Sequence, residues 1–372
     1  MTGDPTIIAA AESPYTRHPA PGLTTPEVLA DAARRALRDA GLEPGAIDGL
    51  GVASFTLAPD HAIDLAVALG LRLSWLMDGW TGGAAGIDML QHATRAVAAG
   101  DASCILLVAG DVFRENAFAQ LVNEYNVATR DHLAPIPFGG PNALFALLTQ
   151  RHMRTHGLQR ADYGRLVVAQ RAWAGGNPGA VYRDALSAED YLAAPLVADP
   201  LGRLDCVPVV SGADALIVAA DDGGVRVRAL RVAHNADLHD GDGLETGLSS
   251  LAARLWADAR ASASDMDVVS VYDDYPAMAL IQLADLGFGE PHAALDAIET
   301  RALPVNTSGG QLSAGQAGAA GGMHGLVELV AQLRGRAGER QLDGARLALA
   351  SGYGMVAYRH GACANAVVLE AP

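Results

Sequence analysis

The sequence predicts an α/β protein made of two similar halves, and three observations carry that prediction. Apolar runs of strand length alternate with amphipathic helical patterns. The order helix, strand, glycine-rich helix, strand occurs twice. Small-residue wording recurs at matching places, "GGAAG" from Gly82 and "GAAGG" from Gly318. Helices alternating with buried strands imply sheets covered on both faces. With 372 residues, 50% of them hydrophobic and 18% charged, the chain can bury a core large enough for such a fold.

Each element has its own warrant. In "TTPEVLADAARRALRDAG", Thr25 can cap, Pro26 suits the first helical turn, apolar residues recur at helical spacing from Val28 to Ala40, and Gly41 stops the helix. A strand follows at Gly49–Ser54. A helix then runs from about Gly82 to Ala99, and "CILLVAGD", Cys104 to Asp111, reads as a strand buried on both faces. The stretch 112–205 is too long for a simple connection and reads as an inserted segment covering a site. After the strand "ALIVAA" a boundary falls near Asp221–Gly224, giving halves 1–222 and 223–372. The second half repeats the pattern: a helix in "LSSLAARLWADARAS", a strand at Val268–Tyr272, a small-residue helix entrance in "GQAGAAGGMHGLVELVAQLRG", and the strand "ARLALASGYG".

Composition removes several function classes. A net charge of −16 with singly scattered arginines excludes a nucleic-acid partner. No apolar run reaches the ~20 residues that span a bilayer. The opening "MTGDPTIIAAAESP" lacks a basic, then apolar, leader, and Cys104, Cys206 and Cys363 have neither metal nor disulfide spacing. These features predict a cytoplasmic protein without a bound metal.

The segments "RAWAGGNPGA", "ADPLGRLDCVPVVSGADALIVAA" and "LPVNTSGGQLSAGQAGAAGGMHGLVELVAQLRG" resemble the thiolase superfamily, in particular the sterol-carrier-protein-type thiolases and their thiolase-like relatives. The resemblance runs over nearly the whole chain. It implies a duplicated thiolase fold of five layers, αβαβα, a homodimer packed through the N-terminal halves, and acyl-CoA thioester substrates with no permanently bound cofactor.

The residues that carry thiolase chemistry are changed. The run Thr81-Gly82-Gly83-Ala84 matches the one that follows the nucleophilic cysteine of the family, which puts Gly79, or Trp80 with a one-residue slip, where the cysteine would stand. The His-Asp-Cys-Phe block reads "YDDY", so Tyr272 replaces its histidine; the Gly-His-Pro block reads Gly315-Gln316-Ala317; and the final cysteine block reads "ASGYG", with Ala350 or Ser351 at the cysteine. An acyl-enzyme route therefore lacks its nucleophile. A glycine-rich helix entrance still offers backbone donors to a thioester or enolate oxygen, although glycines also serve close helix packing. Some proteins similar to this one are retro-aldolases that remove side chains from steroid-type CoA thioesters together with a small OB-fold/zinc-ribbon partner.

That resemblance implies Tyr272 and Tyr353 as acid/base candidates, provided nearby donors lower a phenol's pKa, with Gln316 as an enolate donor and Tyr275 in reserve. Gly79, Gly82, Gly83, Asn306, Gly352 and Gly354 are the candidate substrate-binding positions; Asn306 could equally stabilise a turn. Alternation along a strand lets only one of Asp273 and Asp274 face the site, leaving the other solvated. His324 and His92 read as packed histidines, Cys104 and Cys206 as structural, and Cys363 lies too far past the last turn to match a catalytic cysteine. Two other functions remain open: an acetyl-CoA acyltransferase with an atypical nucleophile, and a non-catalytic acyl-CoA-binding or scaffold subunit.

Overall fold

The computed structural model describes residues 4–114, 117–136, 140–236, 242–357 and 360–372. The first half runs β1 (Pro5–Glu12), α1 (Thr25–Ala40), β2 (Gly49–Ala53), α2 (Ala62–Leu69), β3 (Trp75–Gly79), α3 (Ala85–Ala99) and β4 (Cys104–Asp111). An inserted segment follows with α4 (Ala117–Glu124), α5 (Pro141–His156), α6 (Arg160–Ala174), α7 (Ala188–Ala193) and the short hairpin β5 (Leu196–Ala198) and β6 (Leu201–Gly202), before β7 (Gly212–Ala220) closes the half. The second half runs β8 (Val225–His234), α8 (Gly247–Ala259), β9 (Val268–Ser270), α9 (Pro276–Asp285), α10 (Pro291–Glu299), α11 (Gly310–Ala314), α12 (Gly321–Leu333), β10 (Leu347–Ala357) and β11 (His360–Glu370).

The duplication is visible in strand order. The nine strands of the large sheet run β3-β2-β4-β7-β1-β8-β11-β10-β9, so the first half reads first-fifth-fourth-second-third from the centre outward. The second half repeats it: β8, β11, β10, β9, then Val305, which bridges Val269 in parallel where a third strand would lie. Parallel and antiparallel pairings also match, with β2–β4 and β9–β10 parallel and β4–β7 and β10–β11 antiparallel. The two first strands meet only at their ends, Thr6 with Arg226 and Ile7 with Val225.

Three apolar cores separate five layers. One packs α1 and α2 on the outer face of the first sheet, through Leu29, Leu37 and Leu65 against Leu50, Leu106 and Ile217. A second holds α3 and α12 between the two inner faces, with Met89 and Met323 among Ile105, Leu107, Val268 and Val367. A third packs α5, α6, α8, α9 and α10 on the outer face of the second sheet. The αβαβα arrangement follows from this order.

Two expectations are corrected at this level. Helix α1 is capped by Thr24, whose N–H donates to the Glu27 carboxylate at 2.8 Å, so Thr25 already lies inside the helix. The strand predicted to reach Tyr272 stops at Ser270, because Asn306 Oδ1 accepts the Val271 N–H at 2.9 Å and draws the chain out of the ladder.

Small residues let the middle helices touch. A methyl group on Gly86 would overlap the carbonyl of Gly322, and one on Gly322 would lie 2.6 Å from the Gly83 carbonyl. The two glycine-rich helix entrances thus meet each other at the centre of the molecule.

Candidate active site

A cavity of about 360 Å³ opens where the inserted segment covers the first-half helix entrance. Its walls are mostly apolar, with Phe118, Leu121 and Val122 from α4 and Leu144 and Phe145 from α5. Helix α4 has no fully buried residue, which fits a cover laid over a pocket. Polar groups converge on it from several elements: Tyr125 just after α4, Asn142 on α5, Tyr272, Asp274 and Tyr275 in the loop between β9 and α9, and Gln316 before α12.

The ring of Tyr272 lies directly on Gly83. A methyl group there would overlap ring carbons of Tyr272 and the Tyr353 carbonyl. The place a thiolase-type nucleophile would address is thus occupied by an aromatic ring, which only a glycine permits. Replacing Gly83 with alanine is expected to cost about 1–3 kcal/mol of stability and to displace Tyr272, measured by chemical denaturation and by loss of activity.

The Gln316 side-chain N–H donates to the Tyr272 hydroxyl oxygen at 2.7 Å. That bond leaves the phenol's own O–H able to donate. Burial, the carboxylate of Asp274 and Tyr125 push the Tyr272 pKa well above its ordinary value, in spite of Gln316. The lowered pKa required for a tyrosine base is therefore replaced by its opposite, and Tyr272 is a neutral hydrogen-bond donor.

The two aspartates divide as alternation suggests, Asp273 buried and Asp274 partly exposed in the cavity wall. Asp273 is buried and accepts the backbone N–H of Gln311 at 2.9 Å, fixing the start of α11, while burial lifts its carboxyl to about 6. Asp274 lines the cavity, and its Oδ1 has no hydrogen-bond partner among the described residues. Burial and the charge of Asp273 raise its pKa to about 8, which makes it the one carboxyl of the cavity poised to exchange a proton near neutral pH. Tyr275 donates to Asn142 Oδ1 at 2.7 Å and stacks on Phe145 at 4.3 Å, so the fallback tyrosine anchors the wall.

Tyr353 is placed elsewhere. It is buried in the core on the outer face of β10, against Gly361, and does not line the cavity. The structure does not bring Tyr272 and Tyr353 together in this cavity: β10 presents the Tyr353 backbone to the helix entrance, and the Tyr353 ring lies against Gly361. Of the candidate glycines only Gly83 lines the cavity. Gly354 approaches Gly83 N so closely that a methyl group would stand 2.7 Å from it, and a methyl group on Gly352 would stand 2.9 Å from Gly83 O. Gly79 packs on Met89, and a methyl on Gly82 would sit 2.9 Å from the Tyr125 hydroxyl. Asn306 is buried behind the site in the left-handed region, φ 51°, as a turn residue.

The remaining candidates have structural surroundings. His324 is buried between Glu12 Oε2 at 3.0 Å and Ser308 Oγ at 2.8 Å. The Cys363 thiol contacts His234 at 3.4 Å, and burial raises it to about 11. Cys206 is a surprise, since it lines the cavity; burial, with Asp205 and Asp274 nearby, lifts its thiol to about 12, which leaves it a protonated and weak nucleophile. Sequence reading missed Tyr125 and Asn142 because they sit in the inserted segment, where no repeat or motif marks them. Its one signal was position: a segment over a glycine entrance supplies the wall.

The duplicated layers and this rebuilt helix entrance define a thiolase-fold protein that lacks the thiolase nucleophile. The family of the Thiolase C-terminal domain-like region matches residues 230–365. The chain is 32% identical to the 17-hydroxy-3-oxo-4-pregnene-20-carboxyl-CoA lyase of Mycobacterium tuberculosis, over 90% of this chain and 92% of that one. It is 28% identical to a steroid side-chain-cleaving aldolase of Thermomonospora curvata, over 88% and 90%. The solved Ltp2-ChsH2(DUF35) aldolase superposes with a TM-score of 0.84 at 24% identity, covering 99% of this chain and 98% of that one. The chain belongs to the thiolase superfamily, in the branch of the side-chain-cleaving aldolases.

Proposed function

We propose that the protein cleaves a β-hydroxyacyl-CoA thioester by a retro-aldol reaction whose hydroxyl-bearing carbon carries a bulky apolar group of steroid type. The observation that carries this reading is a neutral phenol, Tyr272, and a proton-exchanging carboxyl, Asp274, in one apolar cavity at a helix entrance without a nucleophile. Asp274 takes the proton of the substrate β-hydroxyl. The Cα–Cβ bond breaks, the β-carbon becomes a ketone, and the bond's electron pair passes into the thioester as an enolate. Tyr272 donates to the enolate oxygen, with Gln316 holding its own oxygen in place. Asp274 then returns the proton to the α-carbon. The sequence is redox-neutral and balances without a cofactor.

The direct test incubates the protein with a β-hydroxyacyl-CoA panel and, separately, with β-ketoacyl-CoA plus free CoA. Release of a ketone and a shorter acyl-CoA without free CoA supports the lyase. CoA-dependent cleavage of the ketoacyl substrate would establish an acyltransferase instead, and binding without turnover an acyl-CoA-binding subunit. The high thiol pKa of Cys206 counts against the acyltransferase.

The proposal extends to assembly. Among the described residues strand β3 ends the sheet with an unpaired edge, and exposed Leu76, Trp80, Ile63 and Val67 lie on or beside it. Such an edge is a template for pairing, which fits a homodimer through the first halves. Leu76→Lys is expected to shift the dimer toward monomer by about tenfold or more in dissociation constant, because a charge on a sheet edge opposes pairing, read by sedimentation-velocity or light-scattering measurements. An OB-fold/zinc-ribbon partner is proposed from the aldolase relatives, with co-purification from co-expression as its test. No described helix is long and apolar enough to cross a membrane; a cytoplasmic location is part of the same proposal.

A further inference from the structure

We infer that Tyr125, contributed by the inserted segment, is a second enolate donor, completing with Tyr272 a pair of phenols over the helix entrance. This rests on the retro-aldol reading and adds a residue that the thiolase-like blocks do not contain. Three observations converge on it. Both tyrosines line the same cavity. They sit over consecutive glycines, the Tyr272 ring on Gly83 and the Tyr125 hydroxyl 2.9 Å from the position a methyl group would take on Gly82. Each phenol oxygen also accepts one N–H, from Gln316 Nε2 at 2.7 Å for Tyr272 and from the Met355 backbone at 3.1 Å for Tyr125, so each keeps its own O–H to donate.

The backbone around Tyr125 is built to hold it. Met355, its donor, sits at φ 56° in the left-handed region, a conformation a methionine adopts only where its surroundings impose it. Next to Tyr125, Asn126 Nδ2 donates to the Val356 carbonyl at 2.5 Å, so two adjacent residues clip the cover onto the end of β10. The Tyr125 ring meets Phe55 edge-on at 5.9 Å, which fixes its plane. Burial and the neighbouring carboxylate keep the hydroxyl protonated, with its pKa near 12. A phenol held this firmly, with one lone pair satisfied and its proton retained, is a preorganised donor.

A clip and a donor make different predictions, and enolisation separates them. The probe is exchange of α-hydrogens of acetyl-CoA and butyryl-CoA with deuterium from the solvent, followed by mass spectrometry on the protein together with any co-purified partner. Exchange needs the enolate donors but no aldol cleavage. Tyr125→Phe is expected to slow it by about a hundredfold, while Asn126→Ala, which removes the clip and the acceptor of the Thr129 N–H but no phenol, slows it far less. Equal losses in the two variants, or no loss in Tyr125→Phe, would overturn the donor role. Absence of exchange in the unmodified protein would overturn the retro-aldol reading itself, and with it the donor pair. 3-Fluorotyrosine at position 125 keeps ring and hydroxyl and makes the donor stronger, so exchange is expected at the unmodified rate or above; a fall beyond threefold would also overturn the inference.

Discussion

Asp274→Asn is expected to lower kcat/KM by about 10²–10⁴ and to remove its pH dependence, because the substitution keeps the shape of the side chain and deletes the proton it exchanges. The sign follows from the role. The β-hydroxyl proton must be taken by the ionised carboxylate, and burial with the charge of Asp273 holds that carboxyl protonated up to about pH 8. In the unmodified protein kcat/KM is therefore expected to rise about tenfold per pH unit from pH 6 and to level off above pH 8. Burial and the charge of Asp273 set this value, and the Asp274 charge in turn raises the pKa values of Tyr125, Tyr272 and Tyr275. Asp273→Asn removes the like charge but keeps an oxygen for the Gln311 N–H, so the rise is expected to move to lower pH with the plateau largely kept, once the loss of the weaker bond from the Leu312 N–H is allowed for by a thermal melt. A flat profile in the unmodified enzyme, or an Asp274→Asn variant of full activity, would remove Asp274 from the mechanism.

The layers were legible in the sequence because they rest on periodicity and on glycines that local geometry demands. "GGAAG" and "GAAGG" mark two helices that touch, and contact between Gly86 and Gly322 is what any larger residue would forbid. The replacement of the family's reactive groups was equally legible, since it is a matter of residue identity at aligned blocks. What could not be read was the direction a side chain takes at a strand end. Tyr272 and Tyr353 both stand at the predicted end of a strand, yet the ladder ends at Ser270, which turns Tyr272 into the cavity, while Tyr353 remains within β10 and points to the core. The electrostatics were out of reach for a related reason. A phenol among carboxylates and a phenol among donors have the same one-letter code, and the choice of Asp274 over Tyr272 as proton carrier depends on burial and on the charges packed beside each. Tyr125 and Asn142 lay in the segment whose function was legible only as a cover, because its residues follow pocket shape rather than any repeat.

Tyr272→Phe is expected to lower kcat by about 10²–10³ with a smaller change in KM, since the hydroxyl is placed to bind an oxygen that gains charge only as the bond breaks. The ring itself should stay: it fills the space that Gly83 leaves, so the variant keeps its packing and its melting temperature within a few degrees. A large fall in stability would instead identify the Gln316 bond as structural. Gln316→Leu tests the same bond from the other side. It leaves the Tyr272 hydroxyl without its partner, and the expected loss is smaller, about tenfold, because the donor survives and only its orientation is lost. The decisive arrangement is the cycle of Tyr272→Phe, Tyr125→Phe and the double variant. Two donors to one oxygen share the charge they stabilise, so the double variant is expected to lose less than the product of the single losses. Strict multiplication would mean that the two hydroxyls serve different atoms of the substrate, with Tyr272 on the enolate and Tyr125 on the departing ketone.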